Sequence, residues 1–199
     1  MFISRLHIQI IELKDRIVPV VSTGHLKNAK FGDSMLYSDQ IQSPVGALEV
    51  HVSSKGLEQI LLPTKNSDNK RFAVEKSDEH PLLTQVRHQL SQYFDGQRKL
   101  FDIPLHLEGT KFQIEIWKSL ESIEYGTTST YGELAKRVGR PKAARAVGAA
   151  NAANPIPIIL PCHRVIGANG ALTGYGGGTS LLHIKEHLLG LEAANTNCQ

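Results

Sequence analysis

Two kinds of hydrophobic spacing divide the chain. From Ser43 to Leu62 the apolar positions alternate at Leu48, Val50 and Val52, Gly56 marks a reversal, and Leu57, Ile60 and Leu62 follow. That pattern predicts a β-hairpin. Residues 63–80 are charged and polar and read as a loop or a short irregular strand. At Pro81 the spacing changes, and Leu83, Val86, Leu90 and Phe94 fall on one helical face that Pro81 opens and Gly96 closes. Residues 35–106 therefore read as a small α+β domain.

The second half, residues 107–195, reads as mainly helical, and its helix starts are well marked. Thr110 with Gln113 forms a capping box ahead of Phe112, Ile116, Leu120 and Ile123. Thr130 with Glu133 forms another ahead of Leu134, Ala135 and Val138. Gly139-Arg140-Pro141 ends that helix and starts the next, which predicts a helix-turn-helix whose second helix runs from Pro141 to about Ala150. This helix is almost all alanine and glycine around Lys142, Arg145 and Val147, so it carries few side chains able to read bases. A last helix is predicted from about Ser180 to Glu192.

Composition changes this picture little and charge changes it more. With 199 residues, 41% hydrophobic residues and a mean hydropathy of -0.19, the chain has the make-up of an ordinary globular protein. Two cysteines cannot build a disulfide framework, which favours a reducing compartment and a cytoplasmic location. Glu12, Lys14, Asp15 and Arg16 break up the apolar patches near the start, so neither a signal peptide nor a membrane span fits. Residues 1–34 are expected to be an N-terminal extension ahead of Met35, with their order left open. The net charge is only +3, yet no carboxylate lies between Glu133 and Glu186. That stretch holds Lys136, Arg137, Arg140, Lys142, Arg145, Arg164 and Lys185, a bias that points to a polyanion such as nucleic acid.

Candidate chemistry centres on Pro161-Cys162-His163-Arg164. A free thiol has a pKa near 8.5, so a nucleophilic Cys162 needs its thiolate stabilised. A helix N-terminus after Pro161, His163 and Arg164 are the candidate sources, and a buried core cysteine is the competing reading. Cys198 reads as a tail thiol without a role. His183-Ile-Lys-Glu186-His187 matches the H-x-x-E-H pattern of inverted zinc peptidases, but a third ligand is not evident and no metal is expected. The run from Gly174 to Gly178 lacks the context of a phosphate loop and reads as backbone that lets a flat ligand approach Tyr175.

Five motifs, Thr130-Tyr-Gly-Glu-Leu-Ala135, Arg140-Pro-Lys-Ala-Ala-Arg-Ala-Val-Gly-Ala-Ala-Asn151, Asn154-Pro-Ile-Pro157, Pro161-Cys-His-Arg-Val165 and Thr173-Gly-Tyr-Gly-Gly177, resemble the O6-alkylguanine-DNA alkyltransferases. The resemblance is dense from Phe112 to Glu192 and weaker from Met35 to Phe101. It implies an α+β fold in which a small ribonuclease-H-like sheet-and-helix domain precedes the helix-turn-helix domain. It also implies single-turnover repair of double-stranded DNA, in which Cys162 takes the alkyl group of O6-alkylguanine or O4-alkylthymine from a base flipped out through the minor groove.

In such a protein Cys162 is activated through His163, a water and Glu192, while Asn154 is the hinge and Tyr131 helps rotate the nucleotide. Arg145 fills the gap in the duplex, with Arg140, Lys142 and Gly148 beside it on the DNA, and Pro157, Val165, Tyr175 and Gly176 surround the base. Gly176 stands where some relatives bear serine, which predicts a roomier pocket. No cofactor and no membrane partner are implied, and the family acts as a monomer that can cluster on DNA. A sensor that binds without repairing, and a cysteine hydrolase, are the alternative readings.

Overall fold

A computed structural model describes residues 10–13, 16–19, 35–63, 75–76 and 80–196, and Cys198 lies outside them. Residues 1–33 and 34–199 form separate units. In the first, β1 (Ile10–Leu13) pairs antiparallel with β2 (Arg16–Pro19), so the apolar patches that read as an extension supply a strand pair.

In the second unit the predicted hairpin is β4 (Leu48–Ser53) with β5 (Gly56–Leu61), and a bulge falls between His51 and Val52. The sheet is larger than the hairpin. β3 (Tyr37–Ile41) adds antiparallel to β4, and the two-residue β6 (Glu75–Lys76) adds parallel to β3, giving the order β5-β4-β3-β6. β3 has only Ser38 and Ile41 buried, so its sequence shows no alternating apolar signal. Helix α1 (Pro81–Phe94) covers one face by burying Leu83, Val86, Leu90 and Tyr93 against the core of Leu48, Val50 and Val52. Tyr93 goes fully inside, whereas Phe94 is half-buried at the margin.

The outer edge of β5 is covered by chain from further along. Leu57 N–H donates to Pro104 O at 2.8 Å, and Ile60 N–H donates to Pro155 O at 2.9 Å. The second contact ties the sheet to the segment that leads into Cys162.

Both capping boxes form as predicted, at Thr110 ahead of α2 (Lys111–Leu120) and at Thr130 ahead of α3 (Tyr131–Arg137). Gly139 takes a φ of 69°, and Arg140 N–H reaches back to Ala135 O at 2.8 Å, which closes α3 with a left-handed cap. The next helix begins later than its proline suggests: α4 spans Ala144–Ala152. Pro141 instead occupies the second position of a turn in which Ala143 N–H donates to Arg140 O, a place its fixed φ suits. Trp117 Nε1–H donates to Ala150 O at 2.8 Å and pins α4 to α2. The last helix, α5 (Leu182–Thr196), starts later than expected and runs past Glu192.

Candidate active site

Pro161 does not open an α-helix. Cys162–Arg164 form a single 3-10 turn that runs straight into β8 (Val165–Ile166), which pairs in parallel with β7 (Ser129–Thr130). The expected macrodipole behind Cys162 is therefore absent, because three residues align too few peptide units to build one. Two asparagines hold the turn and the segment leading into it. Asn154 Nδ2–H donates to Leu160 O at 2.8 Å while its Oδ1 accepts from Ile156 N–H at 3.0 Å, so the predicted hinge residue clamps both ends of the approach. Asn151, at the end of α4, donates to Cys162 O at 3.3 Å. Between them Ile158 sits buried at a φ of 76°, a left-handed conformation costly for a β-branched side chain.

Cys162 is 4% exposed and lines a cavity of about 430 Å³. Asn154, Pro157, Tyr175 and Gly176 line it too, and Ile60 and Leu62 of the sheet half supply another wall. Val165, expected beside the base, is not among the lining residues. Its carbonyl accepts from Lys185 Nζ at 2.6 Å and its amide donates to Cys162 O, so its backbone is already engaged. Gly176 has a φ of 57°, and a Cβ there would stand 2.7 Å from Leu181 Cδ1. A side chain at this position would strain the loop and press on another wall residue.

Burial dominates the electrostatics. It pushes the Cys162 thiol up to about 11, and the Asn154 side chain, the Lys185 charge and Tyr175 draw it only partly back. The resting sulfur is therefore a protonated thiol: of the two sequence readings, burial outweighs stabilisation of the thiolate in the resting protein. His163 and Glu192 are both fully buried, with Nε2 2.8 Å from Oε1. Arg164 grips the same carboxylate with Nε to Oε2 and Nη2 to Oε1, both at 2.9 Å. Tyr93 Oη–H donates to Oε1 at 2.8 Å and Gly126 N–H to Oε2 at 3.0 Å. Although burial alone would raise it, the bonds from His163 and Arg164 hold the Glu192 carboxyl at about 2.

An ionised Glu192 only accepts, so His163 Nε2 must carry the proton. Burial lowers the imidazole below its ordinary range, leaving it neutral. Its Nδ1 is then an unprotonated acceptor, buried and without a protein partner.

The acid-free stretch is not one basic surface. Arg164 is buried on Glu192, and buried Lys185 donates to the carbonyls of Val165, Thr173 and Gly174. Arg137 donates to Ser122, and Arg140 pairs with Glu115 at 3.1 Å over the Phe112 ring. Lys136, Lys142 and Arg145 are exposed and make no ion pair among the described residues. A linear charge count cannot separate cations that hold the fold from cations left for a ligand.

Tyr131, at the start of α3, donates from Oη to Thr173 O at 3.1 Å and lies under α4, where a Cβ on Gly148 would stand 3.8 Å from its ring. His183, Glu186 and His187 are exposed on α5, and no cluster of three possible metal ligands occurs among the described residues. Tyr93, Asn151 and Lys185 were not singled out from sequence, nor was Arg164 as a partner of Glu192. Sequence offers no sign that a tyrosine of α1 reaches a glutamate of α5.

Two family profiles match. "6-O-methylguanine DNA methyltransferase, ribonuclease-like domain" covers residues 36–107, and "6-O-methylguanine DNA methyltransferase, DNA binding domain" covers residues 111–194. The methylated-DNA--protein-cysteine methyltransferase of Methanosarcina acetivorans is 45% identical over 161 residues, 80% of this chain and 99% of that one. The crystal structure of Mycobacterium tuberculosis O6-methylguanine methyltransferase superposes with a TM-score of 0.75 at 41% identity, covering 83% of this chain and 97% of that one. A Mycobacterium tuberculosis OGT solved in complex with DNA gives 0.72 at 42% identity, covering 80% and 94%. Among the described residues no helix is long and apolar enough to cross a membrane. With both halves matched in order, and with relatives aligned over nearly their whole lengths, the chain belongs to the 6-O-methylguanine DNA methyltransferase family.

Proposed function

We propose that this protein repairs DNA by transferring the O6-alkyl group of guanine, and the O4-alkyl group of thymine, irreversibly to Cys162. The observation that carries the reading is a buried cysteine on a base-sized cavity, directly followed in the chain by a histidine locked onto an ionised glutamate. The O6 atom of a stacked guanine cannot reach such a sulfur, so the nucleotide is flipped out through the minor groove at a cost of a few kcal/mol. Arg145 fills the gap left in the duplex, while Arg140, Lys142 and Gly148 lie along the DNA. Tyr131 helps rotate the nucleotide, and Pro157, Tyr175 and Gly176 receive the base, whereas Val165, whose N–H and C=O are both engaged, does not. With glycine at 176, the pocket is roomy enough for groups larger than methyl.

The raised thiol pKa makes proton removal part of the reaction rather than a property of the resting protein. The proton passes through a water to His163 Nδ1, and Glu192 stabilises the imidazolium through Nε2. Sγ then bonds to the alkyl carbon as the carbon–O6 bond breaks, and its electron pair leaves with the guanine, which takes a proton from Tyr131. The product thioether has no carbonyl for water to attack, so each molecule acts once.

In this reading residues 35–106 and 107–195 are the two domains, and the protein works in the cytoplasm as a monomer that clusters on DNA. The test is incubation with a duplex containing O6-methylguanine, followed by peptide mass analysis. One methyl group on Cys162 is expected. Binding without modification would instead identify a sensor, and turnover of an ester or peptide would identify a hydrolase.

A further inference from the structure

We infer that Tyr93 is a positioning residue for alkyl transfer, setting the basicity of His163 through the Glu192 oxygen that both residues share; this rests on the function proposed above. Glu192 Oε1 accepts from His163 Nε2, Tyr93 Oη and Arg164 Nη2, while Oε2 accepts from Arg164 Nε and Gly126 N. A carboxylate offers about four lone-pair sites. Five donors therefore compete for its charge.

Tyr93 is the one side-chain donor to Glu192 that comes from the sheet half. Its ring is fully buried and is fixed against Phe94, Phe101 and Tyr125, with centroids 5.4, 5.5 and 6.1 Å away. Burial and the Glu192 charge push its phenol far above the ordinary range, so it remains a donor at every working pH.

The titratable and charged groups around this carboxylate are Tyr93 on α1, Tyr125 after α2, His163 and Arg164 on the 3-10 turn, and Tyr175 in the loop before α5. Lys185 of α5 acts on the imidazole as well. Of these, Tyr93 is a neutral group that bonds the same oxygen as His163. When its hydroxyl is removed, Oε1 has more charge to give the imidazole N–H. The imidazolium is then favoured, and His163 needs a higher pH to become the neutral acceptor.

The experiment measures single-turnover methyl transfer from an O6-methylguanine duplex to the full chain between about pH 5 and pH 9. It compares the wild type, Tyr93→Phe and the packing control Phe101→Leu. For Tyr93→Phe the acid limb is expected to move up by about half a pH unit or more, and the rate on that limb to fall severalfold with DNA affinity unchanged. For Phe101→Leu stability falls and the limb stays in place. Site-specific replacement of Tyr93 by 3-fluorotyrosine keeps the ring and strengthens the donor, so there the limb moves down. An unmoved limb in both Tyr93 variants overturns the inference while the proposed function stands. A wild type that transfers no methyl group overturns both.

Discussion

Arg145 and Arg164 belong to the same acid-free stretch, and the fold puts them to opposite uses. Arg145 projects from α4 into solvent with no ion pair among the described residues. Arg164 is 5% exposed, grips Glu192 with two bonds, donates Nη1–H to Ile123 O at 2.6 Å and lies over the Tyr125 ring. The burial of each residue tells which cation is available to a polyanion and which is already neutralised. One arginine can change without disturbing the fold, while the other is part of what keeps a charged centre stable away from water.

The comparison is broken most severely at Glu192. Glu192→Gln leaves Arg164 buried without its counter-charge and is expected to cost about 3 to 5 kcal/mol, read from the urea midpoint. If the loss were under about 1 kcal/mol, the claim that Arg164 is held by its partner rather than by solvent would be wrong.

Acid provides a graded version of the same test. His163 has a lowered pKa in the folded state, so its contribution is fully present above the ordinary imidazole value of 6.5 and declines below it. Glu192 is held at about 2 against an ordinary 4.5, so its contribution is full above 4.5 and is lost as pH falls toward 2. Together they make stability fall from about pH 6.5 downward and most steeply below pH 4.5, with roughly 3 kcal/mol coming from Glu192 alone. Urea titrations at stepped pH would show this, and a curve flat from pH 6 to about pH 3 would contradict it.

The smallest effects on stability belong to α4 and the turn that leads into it. Arg145→Ala and Lys142→Ala are expected to shift unfolding by no more than about 0.5 kcal/mol. Both should weaken duplex binding, and for Lys142→Ala the slope of log affinity against log salt should fall by about 1. A large stability loss in either variant would erase the contrast with Arg164.

What the sequence disclosed follows how local each signal is. Capping boxes at Thr110 and Thr130, the hairpin around Gly56 and the turn at Gly139-Arg140-Pro141 depend on residues a few positions apart, and their outlines were legible. Glu192 was placed only by resemblance, and its five donors come from four residues in three separate stretches of chain. For the thiol, the sequence offered both a stabilised thiolate and a buried cysteine, and local spacing could not weigh them: the burial that raises Cys162, and the Asn154, Lys185 and Tyr175 groups that partly offset it, come together only in the fold. β3 escaped because its inward positions include Ser38, and α4 started late because a proline suits a turn as well as a helix start.

The covered rim of β5 matters for a different property, solubility at high protein concentration. An edge strand presents unpaired amides on which a second molecule can build, the usual first step toward sheet-mediated aggregation. Here the amides of Leu57 and Ile60 are taken by the carbonyls of Pro104 and Pro155, and His106 N–H returns a bond to Leu57 O, so the rim is occupied by the chain itself. At Ile60 the partner is a proline, which has an acceptor to give and no N–H to pass on. The contact that fastens the sheet to the reactive turn thus also keeps a second molecule from pairing there.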